Sequence, residues 1–153
     1  MKQLLIQILS MITMLRKKLI YRMALDHLGV DASPNDKVPD ELGCAETVTT
    51  ILNKAVGTPI ITGTWTMYDY MNRNWHPTER PKAGDVLISP TGESKFGNKA
   101  PFVGHTAIVG ERGVLLSNDS RTGKFMTNYT MESWKARYVK KGGYPMYFYT
   151  YKL

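Results

Sequence analysis

The sequence predicts an α+β protein in which a helix-rich N-terminal half is followed by an antiparallel sheet. Apolar residues recur at helical spacing in residues 1–56, whereas from Gly84 onward short apolar and β-branched runs alternate with turn residues. A length of 153 residues suits a single domain with one hydrophobic core. One cysteine excludes an internal disulfide framework, so packing must stabilise the fold.

Residues 1–29 are expected to form a helix, which divides the chain into a basic N-terminal segment, 1–30, and a domain, 31–153. Residues 1–25 contain five basic residues and no acidic one, and the net charge of +7 favours an anionic partner. A signal peptide has its basic residues before its apolar run, whereas here the basic cluster follows the run, so no cleavable signal peptide is predicted. The sequence therefore does not predict a cellular compartment. Residues 16–29 are expected to pack on the domain. For residues 1–15 two alternatives stay open, packing on the domain or contact of residues 1–22 with an anionic membrane surface.

The only cysteine, Cys44, lies where a turn is expected to lead into a helix. Pro39 and Gly43 are helix breakers, and from Ala45 to Gly57 apolar residues recur at helical spacing. Cys44 is therefore expected in, or just before, the first helical turn, where unpaired N–H groups and the helix dipole favour a thiolate. Taken alone, a single cysteine is more simply a small buried apolar residue.

Further elements follow in order along the chain. A short helix is expected near Trp65 to Met71, and a second one over 131–138 with Thr130 as its N-cap. Strands are expected over 84–88, 105–109, 114–118 and 144–151.

His105 opens an apolar strand, and the chain turns near residues 111–112 and returns. A four-residue loop places Asn118 opposite His105, and a two-residue turn makes Asn118 its diagonal neighbour. A three-residue loop places Ser117 and Asp119 there instead. Each register puts a hydrogen-bonding side chain beside the imidazole, as a catalytic histidine requires. Cys44, His105 and Asn118, with Asp119 as the alternative, therefore form a candidate nucleophile, base and orienting group.

From Asp36 to the C terminus the chain resembles the papain-like NlpC/P60 and CHAP cysteine hydrolases, especially small phage-encoded members. The resemblance is carried by four motifs: Gly43-Cys44-Ala45-Glu46, Pro81-Lys82-Ala83-Gly84-Asp85-Val86, Gly104-His105-Thr106-Ala107-Ile108-Val109 and Ser117-Asn118-Asp119-Ser120. It implies a papain-like core with the nucleophile helix packed on an antiparallel sheet. It also implies Cys44 as nucleophile, His105 as base and Asn118 as orienting group, although many members have a second histidine at that last position.

The resemblance implies a peptidoglycan hydrolase, an endopeptidase or N-acetylmuramoyl-L-alanine amidase that acts at the bacterial cell wall, in the manner of a phage lysin. The anionic wall suits the basic chain. Glu46, Trp65, Tyr68 and Trp75 are candidate substrate contacts. No cofactor or metal is expected, because one cysteine provides no zinc-ligand spacing. Without a P-loop or an interleaved basic–aromatic stripe, nucleic acid is not an expected partner, and a monomer is expected.

Two alternative functions remain open from the sequence. The first is a non-catalytic wall-binding or structural protein on the same scaffold. The second is an intracellular cysteine deamidase or transferase with the same three residues.

Overall fold

The computed structural model describes residues 1–31 and 40–153, without the side chains of residues 40–42. Pro39, expected to break the chain before the Cys44 helix, lies outside the described residues. The helices are α1 (Lys2–Asp26), α2 (Asp40–Val56), α3 (Thr64–Asn74) and α4 (Met131–Trp134), and a π-helical segment, Lys135–Lys141, continues α4. The strands are β1 (His76–Pro77), β2 (Val86–Ser89), β3 (His105–Val109), β4 (Val114–Asp119), β5 (Lys124–Thr130) and β6 (Tyr147–Thr150).

The α+β class is confirmed, because the strands form one antiparallel sheet against which the helices pack. The strand order is β1-β6-β2-β3-β4-β5. β3 has the predicted bounds, and Thr130 is the predicted N-cap of α4, where it forms a capping box with Ser133. β5 was not predicted, because only Phe125 of its seven residues is fully buried and the strand has no apolar alternation.

Two hydrophobic clusters cover the two faces of the sheet. The larger joins α1, α2 and α3 to one face and includes Ile20, Val48, Leu52, Met67, Ile108 and Leu116. The smaller joins α4 and the π-helical segment to the other face and includes Leu87, Ala107, Leu115, Trp134 and Tyr138. Every residue of β2 and β3 is therefore buried, which explains why both strands show continuous apolar runs.

α2 begins at Asp40, so Cys44 lies about one residue beyond the first helical turn and not in or just before that turn, as predicted. Cys44 is the fifth residue of α2. The unpaired N–H groups of a helix belong to its first four residues, and the dipole effect falls off within the first turn. The helix end therefore favours a Cys44 thiolate less than the sequence pattern indicated.

The second half of α1 packs on the domain, as predicted for residues 16–29. Ile20 and Ala24 are fully buried, and Lys17 Nζ lies 2.9 Å from the buried Asp85 carboxylate. At Gly84 a Cβ atom would lie 2.2 Å from the Lys17 carbonyl oxygen, so only glycine allows α1 to approach the entry to β2. Asp85 also accepts from the Lys82 amide at 2.8 Å, so its carboxylate caps the entry to β2.

The first half of α1 differs from the second, since residues 1–11 are all exposed. Packing of this half on the described part of the domain, one of the two alternatives left open, is therefore not observed. Within the described residues, no helix is both long enough and apolar enough to cross a membrane.

Candidate active site

A cavity of about 570 Å³ opens at the end of the sheet where β3 begins and β4 ends. The antiparallel pairing of β3 with β4 brings these two ends together. α2 contributes Cys44 to its wall, and β3 contributes His105. Other wall residues come from the loop before β3, the end of β4, the β4–β5 turn, β5 and the π-helical segment, and they include Phe102, Gly104, Asn118, Arg121, Asn128, Tyr129, Arg137 and Tyr138.

The backbone next to His105 is held by close packing against β2. A Cβ atom on Gly104 would lie 2.0 Å from the Ser89 carbonyl oxygen and 2.6 Å from the Thr91 nitrogen. The Gly104 amide donates to Thr91 Oγ1 at 3.0 Å. No side chain fits at position 104 unless the strands separate. The close approach that Gly104 allows therefore fixes the backbone position of His105, from which the imidazole extends.

Aromatic side chains surround the His105 ring on the second face of the sheet. The ring stacks on Trp134 and Tyr138 with centroid distances of 5.3 and 5.6 Å, and Tyr129 contacts it edge-on. Trp134 is itself fixed by a hydrogen bond from Nε1 to Ser89 Oγ at 3.0 Å. The ring therefore has little room to rotate, and His105 is only 9% exposed.

A chain of hydrogen bonds determines which ring nitrogen of the neutral His105 imidazole carries the proton. The Asn118 carbonyl oxygen can only accept, so the Asn128 amide nitrogen, 3.2 Å away, must donate to it. Asn128 Oδ1 then faces Ser117, whose hydroxyl donates to it at 2.7 Å. Ser117 Oγ must consequently accept from His105 Nε2–H, 3.0 Å away. This assignment leaves the lone pair of the neutral ring on Nδ1.

The pKa of His105 is lowered from 6.5 to about 4. Burial of the ring is the largest cause and the positive charge of Arg137 the second, while a hydrogen bond with the Asn118 backbone acts in the opposite direction. Both main effects disfavour the charged imidazolium. His105 is therefore neutral at pH 7 and able to accept a proton.

The β3–β4 hairpin has the three-residue loop, so the register that placed Asn118 opposite His105 is wrong. Ile108 pairs with Leu116 and Val109 with Leu115, and the Gly110 amide closes the loop on the Val114 carbonyl oxygen at 2.7 Å. This register puts Ser117 and Asp119 on the His105 face of the sheet. Ser117, and not the Asn118 side chain, bonds the ring.

Asn118 points to the other face and holds the helix that carries Cys44. Its side-chain nitrogen donates to the Gly43 carbonyl oxygen at 3.0 Å and to Thr47 Oγ1 at 3.1 Å. Gly43 precedes Cys44 by one residue and Thr47 follows it by three. The Asn118 amide therefore contacts both ends of the helical turn that contains the thiol. Adjacent residues of β4 thus position His105 and Cys44 separately.

Asp119, the alternative orienting residue, has its carboxylate engaged in the β4–β5 turn. It accepts from the Arg121 amide at 3.0 Å and from the Thr122 hydroxyl at 3.3 Å. These contacts are typical of an aspartate that stabilises a turn.

The four predicted substrate contacts are not among the residues that line the cavity in the described structure. Trp75 is 5% exposed and belongs to the larger hydrophobic cluster. Tyr68 stacks on Tyr147 at 4.8 Å and packs against the same cluster. Trp65 is half exposed on α3, and Glu46 is half-buried on α2.

Sequence reasoning missed several residues that shape the site. Asn128 reaches Ser117 because a bulge in the β4–β5 pairing shifts the register between Leu115 and Ser117, and no periodicity in the sequence reveals a bulge. Tyr138 lies in a π-helical turn, which also lacks a sequence signature. Arg137 is held over the Phe102 ring, with its guanidinium carbon 4.3 Å from the ring centroid.

Within residues 1–31 and 40–153, no group of three or more histidine, cysteine, aspartate or glutamate side chains is arranged to hold a metal ion. Comparison with known protein families gives no match, and comparison with curated proteins gives none either. The geometry of the site is therefore the basis for the functional proposal.

Proposed function

We propose that the chain is a cysteine hydrolase on a papain-like core and that it cleaves amide bonds of peptidoglycan peptides. One observation carries the proposal. Cys44 and His105 line the same cavity, and neighbouring residues of β4 hold each of them from opposite faces of the sheet. A nucleophile and a base that are separately fixed at one cavity are the minimum that acyl transfer requires.

In the proposed reaction, Cys44 Sγ attacks the carbonyl carbon of the substrate amide while its proton passes to His105 Nδ1. The amine then leaves with that proton, and a thioester forms on Cys44. A water molecule gives a proton to Nδ1 as it attacks the thioester. The C–S bond then breaks, the acid product is released, and the proton on Nδ1 returns to Cys44 Sγ. Because the low pKa of His105 favours the neutral ring, the proton moves during the attack rather than before it.

The substrate class is supported by charge and by sequence motifs. Arg121 and Arg137 both line the cavity, and a peptide that carries carboxylates complements them. The net charge of +7 favours concentration on an anionic wall. The Gly-Cys-Ala-Glu, Pro-x-x-Gly-Asp and Gly-His motifs agree with the resemblance to NlpC/P60 and CHAP hydrolases, and they position Cys44, β2 and His105 respectively.

The test is to incubate the purified protein with several peptidoglycan types and to identify released fragments by mass spectrometry. We expect Cys44→Ala to fold, with a loss of about 1 kcal/mol of stability, and to release no fragments. His105→Ala should be equally inactive, whereas His76→Ala, which removes an exposed histidine on β1, should keep wild-type activity. Cleavage by Cys44→Ala at the wild-type rate would contradict the assignment.

A non-catalytic wall-binding protein is the second candidate, because Cys44 is only 2% exposed. The two functions differ in thiol reactivity. The hydrolase requires that iodoacetamide reach Cys44 through the cavity and abolish fragment release. A wall-binding scaffold would bind peptidoglycan equally well before and after Cys44→Ala and would release nothing. Release of ammonia from glutamine peptides, without wall cleavage, would indicate the deamidase alternative.

A further inference from the structure

Nine large apolar side chains are exposed in residues 1–15, which comprise Met1 and the first part of α1. They are Met1, Leu4, Leu5, Ile6, Ile8, Leu9, Met11, Met14 and Leu15, and the least exposed of them, Leu9, is 41% exposed. At 1.5 Å per residue this stretch is about 22 Å long. A contiguous apolar surface of this size marks an interaction site rather than ordinary solvent-facing surface.

The exposed apolar surface, which we call the α1 apolar side, has a defined direction. Leu4, Leu5, Ile8, Met11 and Leu15 follow one another at spacings of one to four residues and form a broad stripe. Gln3, Gln7 and Ser10 form a polar stripe that continues at Lys17, which bonds Asp85 of the domain. The polar stripe is therefore on the domain-facing side of the helix, and the α1 apolar side is turned outward.

Charge identifies the partner. Lys2, Arg16, Lys18 and Arg22 are exposed, residues 1–25 contain no acidic residue, and no carboxylate of the described residues pairs with these four. A second copy of the chain packed along α1 would bring like charges together with no acid to compensate them. Anionic lipid headgroups offer both an apolar layer and the opposite charge.

We infer that residues 1–22 of α1 bind the surface of an anionic lipid bilayer. The α1 apolar side enters the boundary between headgroups and acyl chains, and Arg16, Lys18 and Arg22 contact the lipid phosphates. This binding requires neither Cys44 nor His105, so it holds whether or not the chain is a hydrolase.

The experiment measures partition of the full-length protein to vesicles of phosphatidylglycerol and phosphatidylcholine, with pure phosphatidylcholine vesicles as the uncharged comparison. We expect binding to the anionic vesicles that weakens at high salt. Leu5→Gln with Ile8→Gln should lower partition by about tenfold per residue, because each change removes a side chain that the membrane would bury. Arg16→Gln and Lys18→Gln should each lower it by about fivefold.

The matched control is Ile60→Gln, because Ile60 is 53% exposed and lies outside α1. This variant should bind vesicles as the wild type does, and circular dichroism should show all variants folded. Partition of Leu5→Gln/Ile8→Gln equal to that of Ile60→Gln would overturn the inference. A second result would also overturn it: the wild type does not bind vesicles but self-associates in ultracentrifugation, and the double variant abolishes that self-association. The α1 apolar side would then be an interface between copies of the chain.

Discussion

Ser117 and Asn118 are neighbours in β4 whose side chains point to opposite faces of the sheet, because successive strand residues alternate. Ser117 accepts from the His105 ring, and Asn118 donates to the helical turn around Cys44. The two side chains therefore have different roles although both are polar, and only Asn118 lines the cavity. Neither side chain acts on the substrate in the proposed reaction, so both are positioning residues.

This division of roles predicts different effects for two alanine variants. Ser117→Ala removes the acceptor of Nε2–H, so it should lower turnover by about 10- to 100-fold and change the histidine tautomer seen by ¹⁵N NMR. Asn118→Ala should leave the tautomer unchanged and instead alter the rate of Cys44 alkylation. The helical turn that carries the thiol loses the two hydrogen bonds that Asn118 donates to it.

Thr127→Ala provides the control, because Thr127 is exposed on β5 and is not among the residues that line the cavity. It should change neither measurement. If Asn118→Ala changes the tautomer while Ser117→Ala does not, the hydrogen-bond assignment in the site is wrong.

The position of the site depends on how closely β3 approaches β2. The approach is possible because Gly104 has no side chain, as the short distances from its Cβ position to the backbone of residues 89–91 show. A similar approach at Gly84 allows α1 to pack on the entry to β2. Two glycines thus determine where the base lies and where the N-terminal helix joins the domain.

We expect Gly104→Ala to destabilise the fold by about 3 kcal/mol, because overpacked side chains force the backbone apart. It should also abolish activity, since His105 is the next residue. Gly57→Ala is the control: a Cβ atom there meets no atom within 4 Å, and only the positive φ of 77° opposes it. That variant should cost about 1–2 kcal/mol. Urea unfolding of both variants tests the comparison, and equal losses would contradict the close-packing explanation.

Across the whole chain, the sequence predicted the elements that have a strong apolar pattern. β3 follows from its continuous apolar run and the packed second half of α1 from helical periodicity, and the N-cap Thr130 follows from side-chain chemistry. The hairpin register could not be chosen from the sequence, because it depends on whether the loop closes through Gly110 and Val114. The bulge that brings Asn128 to Ser117 and the π-helical turn of Tyr138 depend on tertiary packing, which overrides local preference.

The start of α2 was misplaced for a similar reason. Gly43 is a helix breaker by propensity, with a cost near 1 kcal/mol, yet it lies inside α2. Packing of the helix on the sheet, together with the Asn118 bond to the Gly43 carbonyl oxygen, offsets that cost.

Burial of His105 makes the stability of the fold depend on pH. The pKa of His105 is about 4 in the folded chain and near 6.5 when unfolded, so the unfolded state binds more protons between these values. The folded state should therefore keep the full stability linked to a neutral His105 above pH 6.5. It should lose that stability as the pH decreases toward 4. From pH 7 to pH 5 the loss due to His105 should be about 2 kcal/mol, since one pKa unit corresponds to about 1.4 kcal/mol.

Urea unfolding at the two pH values measures this loss, and His105→Gln, whose amide does not titrate, should show a smaller one. His27→Gln separates the contribution of the half-buried His27, whose pKa is also lowered, chiefly by burial. An NMR titration of His105 is independent of unfolding and should have its midpoint near pH 4. A midpoint above 6.5 would contradict the lowered pKa of His105 and the proposal that the proton moves during the attack.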